Sequence, residues 1–292
     1  MSQPAATPES VSLRTLAKGT REGRRFACLT CYDATTARWL ERAGVEVLLV
    51  GDTAAEVILG LPGTIHAPLD FMVALTAAVK RGAPGRVVMA DMPFMSYQVN
   101  ADEALRNAAR FLTEGTADCV KLEVDRSWAP LVERLSKAGI PVVAHIGSRP
   151  QQAKMQGGNF AVGRTAEQAV ALLHDAAALE AAGASMLLVE ACPGEVTQRI
   201  VERATVPVIG CGAGPACHGQ VVVLQDIVGL SDWQPNFAKP LATVGDALQK
   251  AAMDWRERVH AGRIDSVYAM SDAERERLQV LLPAGSDAHA KA

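Results

Sequence analysis

Residues 86–123, RVVMADMPFMSYQVNADEALRNAARFLTEGTADCVKLE, hold two short apolar runs separated by one amphipathic stretch. RVVMAD and DCVKLE are apolar at consecutive rather than alternate positions. That pattern predicts strands buried on both faces, hence a parallel sheet. NADEALRNAARFLTEGTA, between them, carries its apolar residues at helical spacing.

The same unit repeats outward in both directions. RFACLT (25–30), VEVLLVGD (45–52), IPVVAHI (140–146), SMLLVE (185–190), VPVIGC (206–211) and QVVVLQD (220–226) complete a set of eight expected strands. ATTARWLERAG, FMVALTAAVKRGA, SWAPLVERLSKAG and TAEQAVALLHDAAALEAAGA supply helices between most of them, several closing on Gly as helix ends prefer. Eight alternations within about 230 residues fit a (β/α)8 TIM barrel better than a doubly wound sheet, which needs fewer strands. The expected organisation is an N-terminal cap segment over residues 1–24 and a barrel catalytic domain with extra C-terminal helices over 25–280. A disordered tail is expected over 281–292.

The chain has 292 residues, 49% apolar, with a formal net charge of -3 and its Lys and Arg scattered among acids. Such a balance argues against nucleic acid and anionic membrane as partners. No apolar run approaches the ~20 residues of a membrane helix. MSQPAATPES lacks the basic start and apolar centre of a signal peptide, so a cytoplasmic location is expected. Six cysteines in a chain of this length do not suggest a disulfide framework. Cys28 and Cys31 form a CxxC inside RFACLTCYD, which has a strand pattern, and positions i and i+3 of a strand face opposite sides. Cys211, Cys217 and His218 lack the second pair that a zinc site needs.

Barrel enzymes build their sites where strands meet the following loops. Here the expected second strand ends in Asp52, the third in Asp91, the fourth in Lys121 and Glu123, the fifth in His145 and the sixth in Glu190. Several carboxylates around one mouth repel each other unless a cation sits among them, so the pattern suggests a hard cation with oxygen ligands, magnesium above all. Lys121 suits an anionic substrate such as a carboxylic acid, or a salt bridge to a neighbouring acid. His145 is either catalytic or a hydrogen-bonded structural residue. The Gly-rich GCGAGPACHG (210–219) is either a ligand contact or a tight turn, and no helix follows it as a dinucleotide fingerprint requires.

These residues lie in stretches that resemble the ketopantoate (3-methyl-2-oxobutanoate) hydroxymethyltransferase family. The matching segments are LTCYDATTARWLERAGVEVLLVGD, ADMPFMSYQ, NAARFLTEGTADCVKLE, GIPVVAHIG, GRTAEQA, LEAAGASMLLVEACP, VPVIGCGAG and HGQVVVLQDIVGL, in order from about residue 25 to about 240. The resemblance implies a phosphoenolpyruvate/pyruvate-type barrel that transfers a hydroxymethyl group to 3-methyl-2-oxobutanoate, giving ketopantoate for pantothenate synthesis. Its co-substrate would be 5,10-methylenetetrahydrofolate and its metal Mg2+ or another divalent ion. The resemblance places metal ligands at Asp52, Asp91 and Glu123, substrate contacts at Asp52, Thr53, Asp91 and Lys121, and the general base at Glu190, with His145 in support. The metal would act as a Lewis acid on a developing enolate, and the apolar MLLV beside Glu190 would raise its pKa towards ~6 to 7. A homo-oligomer, decameric in the family, is implied as well.

Departures cluster beside these positions. Thr53 stands where the family usually has Ser, and TAAEV with Glu56 replaces Ser-Leu-Gly-Met. Val124 and Asp125 replace a Gly pair, HIGSRPQ introduces Arg149, and GCGAG and EACP replace GIGAG and ECVP. Two other readings therefore stay open: a metal-dependent carbon–carbon bond enzyme of the phosphoenolpyruvate mutase and isocitrate lyase group acting on another 2-oxo acid, and an inactive ligand-binding paralogue. The reactive KKCGH-type loop of the former is not found, and the intact acid set speaks against the latter. Glu56 and Arg149 are expected to alter selectivity rather than reaction type, as unpaired charges near a dry site do.

Overall fold

The computed structural model describes residues 9–282. Eight parallel strands close into a barrel in sequence order: β1 (Phe26–Thr30), β2 (Val47–Val50), β3 (Val87–Asp91), β4 (Cys119–Glu123), β5 (Val142–Gly147), β6 (Met186–Glu190), β7 (Val208–Cys211) and β8 (Gly219–Val222). β1 pairs with β8, Phe26 opposite Gly219, and so closes the ring. Six strands fall within the runs expected from sequence, while β5 runs one residue past its run to Gly147 and β8 starts one residue before its run at Gly219. QVVVLQD overshoots: its strand stops at Val222, and Leu224–Ile227 turns into a single helical turn.

Helices α1 (Leu13–Arg21), α2 (Ala34–Arg42), α3 (Leu69–Gly82), α4 (Ala101–Thr113), α5 (Ala129–Lys137), α6 (Ala166–Ala181) and α7 (Gly194–Val201) accompany the strands. Local chemistry sets their starts. Asp33 accepts the Thr35 and Thr36 N–H groups at 2.8 Å, while Asn100 caps α4 and Thr165 caps α6.

Strand alternation sorts the apolar residues into two clusters. One, between barrel and helices, includes Leu48, Val88, Val120, Leu122, Ala144 and Leu187. The other fills the barrel, with Cys28, Val47, Leu49, Val87, Met89, Cys119, Val143, Met186, Leu188 and Ile209. Leu16 of α1 belongs to this interior cluster, so the N-terminal segment seals one end of the barrel. Cys28 packs inside and Cys31 outside, and both thiols are free.

From Val244 onward the chain forms a second compact unit. It contains α8 (Val244–His260) and α9 (Asp272–Leu281), neither of which buries a residue. Of the tail expected at 281–292, Leu281 ends α9, and residues 283–292 lie outside those described.

Candidate active site

The interior of the barrel changes character along each strand. Inward positions run Val87, Met89, Asp91 on β3; Cys119, Lys121, Glu123 on β4; Val143, His145 on β5; and Met186, Leu188, Glu190 on β6. The lower members belong to the apolar interior cluster. Strand register levels the upper members: Asp91 lies opposite Lys121, Glu123 opposite His145, and Gly147 opposite Glu190. A polar layer thus rests on an apolar floor. A cavity of about 170 Å3 opens over it, lined among others by Asp52, Thr53, Asp91, Lys121, Glu123, His145 and Glu190. Every site residue expected from sequence lines this one cavity. Its other wall is apolar, with Leu188, Val221, Val222 and Phe237.

The charges are arranged by named contacts. Lys121 Nζ lies 3.0 Å from Asp91 Oδ1 and 3.1 Å from His145 Nδ1. The contact to Asp91 is a buried, charge-assisted ion pair, and Lys121 is the group that balances Asp91 Oδ1. Burial alone would lower the Lys121 pKa, but Asp91, Asp52 and Glu123 together raise it, and the ammonium stays charged. Burial lowers the pKa of His145 far below its ordinary value, with Lys121 adding to the effect, so the imidazole is neutral. Burial also raises Asp91, opposed by Lys121 and reinforced by Asp52. Glu123 is raised by burial and then by Asp52.

Glu190 sits at the rim, its side chain 23% exposed, with Oε2 3.5 Å from His145 Nε2. Burial on its protein side pushes its pKa up to about 7, partly offset by Lys121. Gly147 makes room for it. Its φ of +94° lies in the left-handed region, and a Cβ there would run into the Glu190 carbonyl. Thr53 is held by a 2.6 Å hydrogen bond between its Oγ1 and the Tyr32 hydroxyl.

Gln151 was not singled out in the sequence. It lies in the turn after β5 and is 5% exposed. Its backbone N–H donates to Glu123 Oε2 at 3.0 Å, and its Nε2 donates to Asp52 Oδ2 at 2.9 Å and to the Met92 carbonyl at 3.1 Å. The Asp52 N–H in turn donates to Asp91 Oδ2 at 3.1 Å. Three carboxylates therefore each have one oxygen fixed by a protein N–H. Asp91 Oδ1 faces Lys121, and Asp52 Oδ1 and Glu123 Oε1 are left without a protein N–H at hydrogen-bond distance. Among the described residues no group of three or more His, Cys, Asp or Glu side chains is already drawn together to hold a metal ion. An open set of carboxylates, one of them already balanced by the Lys121 ammonium, has the oxygen chemistry of a magnesium-type site that completes its shell with substrate and water.

Two of the expected specificity determinants lie elsewhere. Glu56 is exposed, and neither it nor Arg149 lines the cavity. Arg149 Nη1 pairs with Asp125 Oδ2 at 2.7 Å, so two departures from the family pattern neutralise one another. The expectation that Arg149 brings an unpaired charge to the site is thereby corrected. A sequence shows the two substitutions but not that the loops after β4 and β5 meet.

The family model for ketopantoate hydroxymethyltransferase matches residues 10–265. A 3-methyl-2-oxobutanoate hydroxymethyltransferase of Pyrobaculum aerophilum is 46% identical over 241 residues, covering 82% of this chain and 92% of its own. One from Hyperthermus butylicus is 38% identical over 277 residues, covering 94% and 96%. Among solved structures, 2,3-dimethylmalate lyase, a member of the PEP mutase/isocitrate lyase superfamily, superposes with a TM-score of 0.56 at 17% identity, covering 94% and 96%. At that identity the likeness is one of fold.

Proposed function

The chain belongs to the ketopantoate hydroxymethyltransferase family, and from that premise we propose that it transfers a hydroxymethyl group from 5,10-methylenetetrahydrofolate to 3-methyl-2-oxobutanoate. The observation that carries the reading is Glu190: a carboxylate raised to about 7, at the rim of a cavity whose opposite side holds Asp52, Asp91, Glu123 and Lys121. A base poised near neutral pH facing an anion-binding and cation-binding wall suits proton removal next to a carbonyl.

Each residue has a role that follows from its position. Lys121, charged and nearly buried, attracts the carboxylate of the 2-oxo acid. Asp52, Asp91 and Glu123 would hold a divalent cation, which supplies Lewis-acid polarisation of the keto and carboxylate oxygens. Glu190 takes the proton from C3. His145, neutral and accepting from Lys121 at Nδ1, carries its proton on Nε2, which lies 3.5 Å from Glu190 Oε2 without a hydrogen bond to it. C3 then forms a bond to the methylene carbon of the folate, water supplies the hydroxyl oxygen, and tetrahydrofolate leaves. The apolar wall of Leu188, Val221 and Val222 receives the branched carbon end of the substrate.

Turnover of 3-methyl-2-oxobutanoate with methylenetetrahydrofolate and magnesium, beside a panel of other 2-oxo acids, tests the reading. Ketopantoate formation is expected. Turnover of another 2-oxo acid alone would move the chain to a different substrate, and no turnover of any would remove it from catalysis. Among the described residues no helix is long and apolar enough to cross a membrane. We infer small-molecule substrates, a cytoplasmic location and a homo-oligomeric state from the same family membership.

A further inference from the structure

Every hydrogen-bonding position of the Gln151 amide is used. Nε2 faces two acceptors, the Asp52 carboxylate and the Met92 carbonyl, while Oε1 accepts from the Tyr97 hydroxyl at 2.9 Å and from Gln98 Nε2 at 3.1 Å. This assignment of the amide admits no flip, because reversal would set Oε1 against a carboxylate and a carbonyl. The Tyr97 hydroxyl also accepts the Glu123 N–H at 3.2 Å. One buried residue thus ties the ends of β2 and β3, through its side chain, and of β4, through its backbone N–H, to the turn after β5.

We propose that Gln151 is a positioning residue that aims the Asp52 and Glu123 carboxylates at a divalent cation by holding one oxygen of each. The inference rests on the proposed role of those carboxylates as cation ligands. A neutral donor is required here: a second carboxylate would repel Asp52, and an apolar side chain would leave Asp52 Oδ2 and the Met92 carbonyl without a donor in a buried place. Arg149, two residues upstream, pairs with Asp125 of the loop after β4 and so links the turn that carries Gln151 to that loop. This gives the second charged departure a place in the architecture without a place in the cavity. Outer partners of this kind set the direction of ligands and their loss costs about 10- to 100-fold in metal affinity.

The test titrates Mn2+ alone into the full chain, without either substrate, and reads the free ion by electron paramagnetic resonance. Gln151→Met keeps the side-chain volume and the backbone N–H while removing the donor to Asp52. It is expected to weaken Mn2+ binding about tenfold or more while far-UV circular dichroism is unchanged. Gln151→Ala serves in its place if the methionine variant does not fold. Mn2+ affinity within about twofold of wild type in a folded variant overturns the proposal. So does a wild-type chain that binds Mn2+ no better than Asp91→Asn does. A wild-type chain that binds Mn2+ yet fails to transfer the one-carbon unit would sink the proposed function and leave the role of Gln151 to be decided by the titration.

Discussion

Lys121 Nζ lies 3.1 Å from His145 Nδ1. An ammonium has donors only, so Nδ1 must accept, and the tautomer of a buried imidazole is thereby settled. The remaining proton sits on Nε2, facing Glu190 Oε2 at 3.5 Å. Asp91, Lys121, His145 and Glu190 form one electrostatic row across β3 to β6, and the state of the base depends on a lysine two strands away.

The pH dependence of C3–H exchange in deuterated water follows from Glu190. Its pKa of about 7 means that below pH 7 the folded protein carries it protonated and unable to accept. Exchange should therefore fall about tenfold per unit below pH 7 and level off above it. An acid limb near the ordinary carboxylate range would refute the assignment of Glu190.

Glu190→Gln should retain binding of the 2-oxo acid, measured by calorimetry, and lose exchange, because an amide has no basic oxygen of comparable strength. Exchange at the wild-type rate in this variant would place the base elsewhere.

Asp91→Ala should abolish divalent-ion dependence, but it should also destabilise the fold, since Lys121 is left buried without its 3.0 Å partner. Loss of one member of a buried pair costs about 3–5 kcal/mol. Asp91→Asn keeps the volume and a carbonyl oxygen, and it should melt closer to wild type while still losing the ion. Equal melting of the two variants would show that Lys121 finds another partner.

Arg149→Thr should leave the ranking of 2-oxo acids unchanged. The guanidinium is spent on Asp125 outside the cavity lining, and the pair is partly exposed, so the stability lost is about 1 kcal/mol or less. Glu56→Met, at an exposed position, should likewise keep the ranking. A reordered panel in either variant would bring these loops back into contact with substrate.

Gly147→Ala should cost about 1–3 kcal/mol for the left-handed backbone alone and lower activity by displacing Glu190, against whose carbonyl the new methyl would lie. Wild-type exchange rates in a stable variant would show that β6 tolerates the shift.

Much of this architecture is written locally. Continuous apolar runs give buried parallel strands, and ionisable residues ending them can only face one mouth once the strands are parallel and in sequence order. Asp52, Asp91, Lys121, Glu123, His145 and Glu190 were legible for that reason. Gln151 was not, because a glutamine in a polar turn has no periodicity to mark it, and its partner Asp52 is 99 residues away. Tyr97 escaped for a similar reason: its role arises from reaching Glu123 and Gln151 across 26 and 54 residues. The Arg149–Asp125 pair is visible only when two loops meet, so each substitution alone looked like an added charge.

Leu16 of α1 packs against the apolar interior at the far end of the barrel, beneath the polar layer. Among the described residues the cavity is reached from the polar end of the strands. On the proposed reading the smaller 2-oxo acid, which needs Lys121 at the base of the cavity, must arrive before the bulky one-carbon donor blocks the entrance, and tetrahydrofolate must depart before ketopantoate can. On that reading the depth of the cavity is enough to order addition and release. Product inhibition patterns should carry that signature, with ketopantoate competing against the 2-oxo acid for the same inner berth.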